Sequence, residues 1–228
     1  MHDTVKCYKE IISAIEQRLK GQNIDNRSKV IAVSKTFKLE KILPLIDYGH
    51  LDFGENKVQE AIEKWSEIKT KKKDIQLHLI GKLQSNKAKF AVKIFDYIHS
   101  LDSEKLAKKI SEEQSKQNKN IKLFIQVNIG NEDQKSGISI NQLNDFYQFC
   151  KQLNLNIIGL MCIPPFDQNP DSYFKEMQSL KEKLNLKELS MGMSSDYLQA
   201  VDYSSTYLRI GSSISVSYTH LRAHETRS

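Results

Sequence analysis

Lys35 stands at the end of Val30-Ile31-Ala32-Val33-Ser34, a β-branched run of strand length. A cation is costly to bury without a partner, so a lysine closing an apolar strand is unusual. In a shielded pocket its amine loses a proton more easily and can attack an aldehyde to form a Schiff base. Two later strand-like runs end in Met191-Gly192-Met193-Ser194-Ser195-Asp196 and in Gly211-Ser212-Ser213. Small residues in such turns can offer backbone N–H groups to an anion. An amine on one strand and an anion cradle on two others together point to a phosphorylated aldehyde. Plainer readings stay open for each piece. A strand-end lysine can be an ordinary loop residue, and glycine-serine segments are common in turns. His78, within Leu77-His78-Leu79, also reads as a core histidine, and Arg209 as the partner of a carboxylate.

The elements that must position these residues alternate. A leading helix is expected over Val5–Leu19 from its apolar spacing. Strands are then expected at Val30–Ser34, Asp52–Glu55, Ile75–Ile80, Tyr97–Leu101, Leu123–Ile129, Ile157–Ile163, Leu189–Met193 and Tyr207–Ile210. Amphipathic stretches follow seven of them, with Asp102 or Ser103 suited to cap the fifth helix of the series. Strict strand-then-helix order predicts a parallel sheet. Eight units in this length predict an α/β fold of the TIM-type (β/α)8 barrel class, a single domain with an extra N-terminal helix. A doubly wound open sheet is the alternative. In a barrel the site lies at the C-terminal strand ends, where Lys35, Asn56, Gly81, Ser194 and Gly211 fall, while Gln126 and Asn128 share one face of the fifth strand.

Composition narrows the classes. The 228 residues are 39% hydrophobic and 27% charged, a globular balance. The net charge of +6 is spread over lysines that sit beside acidic residues on helical stretches, which reads as a solvated surface and not a nucleic-acid face. It also favours phosphorylated small molecules. Cys7, Cys150 and Cys162 are widely spaced and form no metal pattern, so no metal site is expected and a reducing, cytoplasmic location is. No membrane span or leader is evident.

The motifs in combination resemble a known family. They are Ala32-Val33-Ser34-Lys35-Thr36, Phe53-Gly54-Glu55-Asn56, His78-Leu79-Ile80-Gly81-Lys82-Leu83-Gln84-Ser85-Asn86-Lys87, Gln126-Val127-Asn128, Lys135-Ser136-Gly137, Gly159-Leu160-Met161, Gly192-Met193-Ser194 and Arg209-Ile210-Gly211. From about Lys6 to Ile214 the chain resembles the pyridoxal phosphate homeostasis proteins (the PROSC/YggS-like group), which share the barrel of the alanine racemase N-terminal domain. The resemblance implies that Lys35 holds pyridoxal 5′-phosphate as a Schiff base. It implies Asn56 and His78 near the ring, Ser194, Gly211 and Ser212 on the phosphate, and Arg209 facing the pyridine nitrogen. It implies a monomer that buffers the cofactor and delivers it to apoenzymes without committed catalysis. A racemase-like enzyme on the same barrel is the alternative, but it needs a second base and a C-terminal β domain, neither of which the sequence supplies. A barrel acting on sugar phosphates, with Lys35 unmodified, is a more distant one. The barrel is expected over residues 1–214. Residues 215–228, beginning Ser215-Val216-Ser217-Tyr218, depart from the family and look foreign to it, a read-through or artefactual segment.

Overall fold

The computed structural model describes residues 2–22, 28–35, 39–132 and 134–215. Eight parallel strands close into a barrel in chain order, so the barrel expectation holds and the open sheet does not. The strands are β1 (Lys29–Val33), β2 (Asp52–Glu55), β3 (Gln76–Leu79), β4 (Tyr97–Leu101), β5 (Lys122–Gln126), β6 (Ile157–Met161), β7 (Glu188–Met193) and β8 (Tyr207–Ile210). Closure sets Ile31 of β1 opposite Arg209 of β8. Helix α1 (Asp3–Gln22) precedes the barrel. Helices α2 (Leu39–Tyr48), α3 (Val58–Lys71), α4 (Ala88–Ile94), α5 (Glu104–Gln117), α6 (Leu143–Gln152), α7 (Asp171–Lys183), α8 (Tyr197–Asp202) and the one-turn α9 (Ser212–Ser215) follow β1 to β8 in turn.

Period-two alternation sorts each strand into two environments. On β1, Val30 and Ala32 join the large core between sheet and helices, while Ile31 packs inside the barrel with Tyr97, Phe124, Met161 and Tyr207. The inner row therefore continues through Val33 to Lys35, which brings the lysine to the upper mouth. In the outer core Phe53 and Trp65 are fully buried with ring centroids 4.8 Å apart. Each large side chain buried this way stabilises the fold by about 1.5–3 kcal/mol.

Helix α1 docks through buried Val5, Ile11 and Ile15. Its Arg18 donates to both carboxylate oxygens of Asp202 at 2.7 and 2.5 Å, an exposed pair that water and salt screen. Ser103, not Asp102, caps α5, accepting from the Leu106 N–H at 3.4 Å. Helix α3 outruns its last apolar anchor because Lys69 in its final turn donates to the Ile94 carbonyl and pairs with Asp96. Three strands end earlier than their apolar runs. Above β5, Val127 still donates to the Met161 carbonyl at 2.8 Å and Ile129 is buried, so the run reports burial rather than regular pairing. Among the described residues no helix is long and apolar enough to cross a membrane. Of the segment 215–228, Ser215 ends α9 and the rest lies outside the described residues.

Candidate functional site

A cavity of about 490 Å³ opens at the C-terminal ends of the strands. Lys35, Asn56, Ser194, Arg209, Gly211 and Ser212 all line it. They come from the ends of β1, β2, β7 and β8, which are far apart in sequence and adjacent only because the sheet closes. Lys35 is exposed as a residue and stands at the mouth, two residues beyond Val33, the last β1 residue paired with β2. His78 does not line the cavity. It sits one step lower on the inner face of β3, fully buried, with its ring stacked on Tyr97 at 4.2 Å and hydrogen-bonded to Asp52 and His99. On its side of the barrel the cavity is lined by Ile80, Gly81 and Lys82, which follow β3 and lie above His78. Asn128 likewise stays outside the cavity, because β5 ends at Gln126; its amide bonds the Glu132 N–H and carbonyl instead.

The loops after β7 and β8 meet at the cavity rim. Ser194 Oγ accepts from the N–H groups of Gly211 at 3.4 Å and Ser213 at 3.5 Å, so a hydroxyl and two amides converge. The loop is fixed by Asp196, whose carboxylate accepts from the Met193 N–H at 2.6 Å. Gly192 makes the turn possible: its φ is +89°, and a Cβ there would stand 2.6 Å from the Cβ of Ala200. On the far side, a Cβ on Gly81 would lie 2.3 Å from the Asn56 carbonyl oxygen. Only glycine lets the β3 loop rest against Asn56 and aim it at the cavity.

Arg209 forms the floor and is 4% exposed. It donates to the Ser190 carbonyl at 2.6 Å, to Ser190 Oγ at 2.8 Å and to the Cys162 carbonyl at 2.8 Å. Burial lowers its pKa from the usual arginine value, partly offset by Cys162 and Asp196. Beneath Lys35, on the outer face, a buried cluster holds the end of β1. Glu55 Oε1 accepts from Ser34 Oγ at 2.7 Å, Lys64 Nζ at 2.8 Å and Trp65 Nε1 at 2.9 Å. Lys64 also donates to the Ser34 carbonyl at 2.7 Å, one peptide before Lys35.

Sequence reasoning missed several of these contributors. Lys82 lines the cavity and adds a second exposed cation beside Lys35. Lys64 and Trp65 are ordinary helix residues by pattern, and Ser190 and His99 are ordinary strand residues. The signal available was Glu55, a carboxylate inside a strand that must find buried donors.

The family model for the alanine racemase N-terminal domain matches residues 12–218. The pyridoxal phosphate homeostasis protein of Aquifex aeolicus is 35% identical over 216 residues, covering 90% of this chain and 92% of its own. That of Pasteurella multocida is 39% identical over 197 residues, covering 82% and 84%. The chain belongs to the pyridoxal phosphate homeostasis protein family. Within that family, PipY of Synechococcus elongatus solved with PLP bound superimposes with a TM-score of 0.76 at 34% identity, over 89% of this chain and all of that one. Its structure without PLP gives 0.79 at 35% identity. Alanine racemase of Acinetobacter baumannii, at 15% identity and a TM-score of 0.69, shares the fold, and this chain spans 59% of it.

Proposed function

We propose that this chain binds pyridoxal 5′-phosphate in the upper cavity, anchors it on Lys35, and buffers it for delivery to apoenzymes rather than turning over a substrate. The observation that carries the reading is the meeting of Lys35 with Ser194, Gly211 and Ser212 on one cavity, the Gly211 and Ser213 N–H groups converging on Ser194 Oγ. The residues present fit the cofactor. The volume lies within the range of small-molecule sites, about 300–1,000 Å³, and the lining carries Lys82 and Arg209 toward an anionic guest. PipY with PLP bound and the names of the relatives support the same ligand.

When bound, the cofactor supplies an aldehyde that condenses with an amine, with loss of water. Lys35 would be that amine. Ser194, Ser212 and the Gly211 and Ser213 amides would hold the phosphate, Asn56 would contribute beside the ring, and Arg209 would offer N–H donors to the ring nitrogen. A guanidinium stays charged and disfavours a proton on that nitrogen, so it weakens the electron withdrawal that carbanion chemistry needs. Among the described lining residues there is no carboxylate, imidazole, phenol or thiol to move an α-proton. Three widely spaced, buried cysteines suit a reducing, cytoplasmic setting, and we read the protein as a monomer there.

The test is borohydride reduction of the full chain incubated with pyridoxal 5′-phosphate, followed by peptide mass mapping. A single reduced adduct on Lys35 is expected; no adduct, or one on another lysine, overturns the anchoring role. Amino acids in D2O are expected to exchange their α-protons no faster than with free cofactor. Rapid exchange would favour the racemase-like alternative.

A further inference from the structure

Below the cavity, where a barrel is ordinarily plugged by branched apolar side chains, five polar side chains from five strands join end to end. His78 Nε2 lies 3.0 Å from Asp52 Oδ1, and His78 Nδ1 lies 3.0 Å from His99 Nε2. His99 Nδ1 lies 2.8 Å from Ser190 Oγ, which accepts from Arg209 at 2.8 Å. His78, His99 and Ser190 are fully buried. The path runs from the lower mouth, where the Asp52 side chain keeps 18% of its exposure, to the guanidinium on the cavity floor.

The protons in this path can be assigned from both ends. Burial opposes ionisation of Asp52, but the hydrogen bond from His78 leads the opposing causes, and the carboxyl is held below its ordinary value. A carboxylate only accepts, so His78 Nε2 carries a hydrogen. Burial lowers the pKa of His78 and lowers that of His99 well below the usual histidine value, so each ring carries one proton at neutral pH. Bare His78 Nδ1 then accepts from His99 Nε2–H, and bare His99 Nδ1 accepts from Ser190 Oγ–H. At the other end Arg209 has donors only, and it meets the lone pairs that Ser190 turns toward it. Every donor points away from the cavity.

We infer that Asp52, His78, His99 and Ser190 form a one-directional hydrogen-bond chain that gives buried Arg209 a remote counter-charge and fixes its aim into the cavity. These four are positioning residues. Arg209 donates to a hydroxyl and two carbonyls, and the Asp196 carboxylate acts on it through its charge without a hydrogen bond or ion pair among the described residues. A buried cation with neutral partners alone is costly. Polarised hydrogen bonds in a low-dielectric interior strengthen one another, so the Asp52 charge is felt along the path. The role in cofactor holding rests on the reading that Arg209 meets the pyridine nitrogen.

The experiment is long-range 1H–15N correlation on the full chain labelled at histidine, at neutral pH, before and after pyridoxal 5′-phosphate is added. Both buried rings are expected as single Nε2–H tautomers in either condition. Asp52→Ala is expected to release His99 from its single tautomer although the two residues do not touch, and Ser190→Ala to release His99 while His78 stays as it was. Asp52→Asn can still accept from His78. It is expected to keep both tautomers and to weaken cofactor binding about five- to tenfold, as the lost charge no longer supports Arg209. An Nδ1–H tautomer at His99 in the unaltered protein, a His99 indifferent to Asp52→Ala, or unchanged affinity in Asp52→Asn overturns the chain. A protein that takes up no pyridoxal phosphate overturns the cavity reading instead, and the tautomers still decide the chain.

Discussion

The two halves of the barrel interior are built on opposite plans. The lower half is closed: Tyr97, Phe124 and Tyr207 pack around His78 and His99, whose ring nitrogens all have partners. The upper half is open, with an exposed lysine, an exposed Ser212 and a cavity of about 490 Å³. The same eight strands supply both. The lower half has its polar groups paired with one another, so it contributes rigidity and costs stability if broken. The upper half turns its polar groups to a space where a ligand can complete them. A change at the mouth should therefore alter what is bound and leave the fold, whereas a change beneath it should cost stability and reach the ligand only through the groups it holds in place.

Lys35→Ala breaks this comparison most directly. Its expected effect is complete loss of the borohydride-fixed adduct, with a melting temperature within about 1–2 °C of the unaltered protein, since an exposed side chain carries little packing energy. A variant that unfolds would mean that the mouth is structural after all. The next largest effect is expected from Glu55→Ala. It strips three hydrogen bonds from a fully buried carboxylate and leaves Lys64, with 14% side-chain exposure, without its anion. Breaking a buried pair from one side costs about 3–5 kcal/mol. For a chain of this size that is a fall of roughly 10 °C in melting temperature, readable by circular dichroism. Because the cluster holds the peptide before Lys35, cofactor uptake should fall with it.

The difference between the halves also governs what the sequence could disclose. Lys35, Asn56, Ser194, Arg209 and Gly211 sit at or near strand ends, where chain direction alone predicts the mouth of a parallel barrel, so their convergence was legible once eight strands were counted. His78 was assigned to the site by family likeness, and the structure sets it below. His78 and Arg209 are each the third residue of a four-residue strand, yet only Arg209 lines the cavity, because position along a strand does not by itself give height in a staggered barrel. The partners of His78 were not legible at all. His99 lies 21 residues from His78, and Ser190 a further 91 from His99, and only the shear of a closed barrel brings the three into line. The clamp on Glu55 was half legible, as a strand carboxylate without evident company whose lysine and tryptophan wait on a helix face. The exposure of Lys35 could not be read, because it depends on how wide the strand ends splay.

Acid should weaken the lower half before the mouth. Burial lowers the pKa of His50, His78 and His99 from the ordinary 6.5. The unfolded chain then binds protons that the folded one refuses, so the stability from these neutral rings is whole above pH 6.5 and is lost as pH falls below it. Each contributes a limiting slope of about 1.4 kcal/mol per pH unit. Asp52 is held below its ordinary value of 3.8, so its contribution persists to lower pH and is lost only as pH drops through that range. Melting temperature is expected to fall steadily from pH 7 to pH 5. A flat profile would mean that the buried rings take up protons in place, which the closed packing forbids.

The smallest expected effect sharpens the comparison at the mouth itself. Ser194→Ala removes the hydroxyl on which the Gly211 and Ser213 amides converge but leaves the amides, and Asp196 still holds the loop through Met193. One hydrogen bond to an anion is lost and no buried group is orphaned, since the cavity is open to water. The net cost is about 1 kcal/mol, or roughly fivefold in affinity. That figure alone could reflect any disturbance of the cavity, so the informative quantity is a ratio. Pyridoxal carries the same aldehyde and ring without the phosphate. If Ser194 acts on the phosphate, the variant binds pyridoxal 5′-phosphate about fivefold more weakly while its affinity for pyridoxal stays unchanged, as equilibrium absorbance titration would read. Equal weakening of both ligands would move Ser194 from the phosphate to the ring, and with it the orientation of everything held between Lys35 and Arg209.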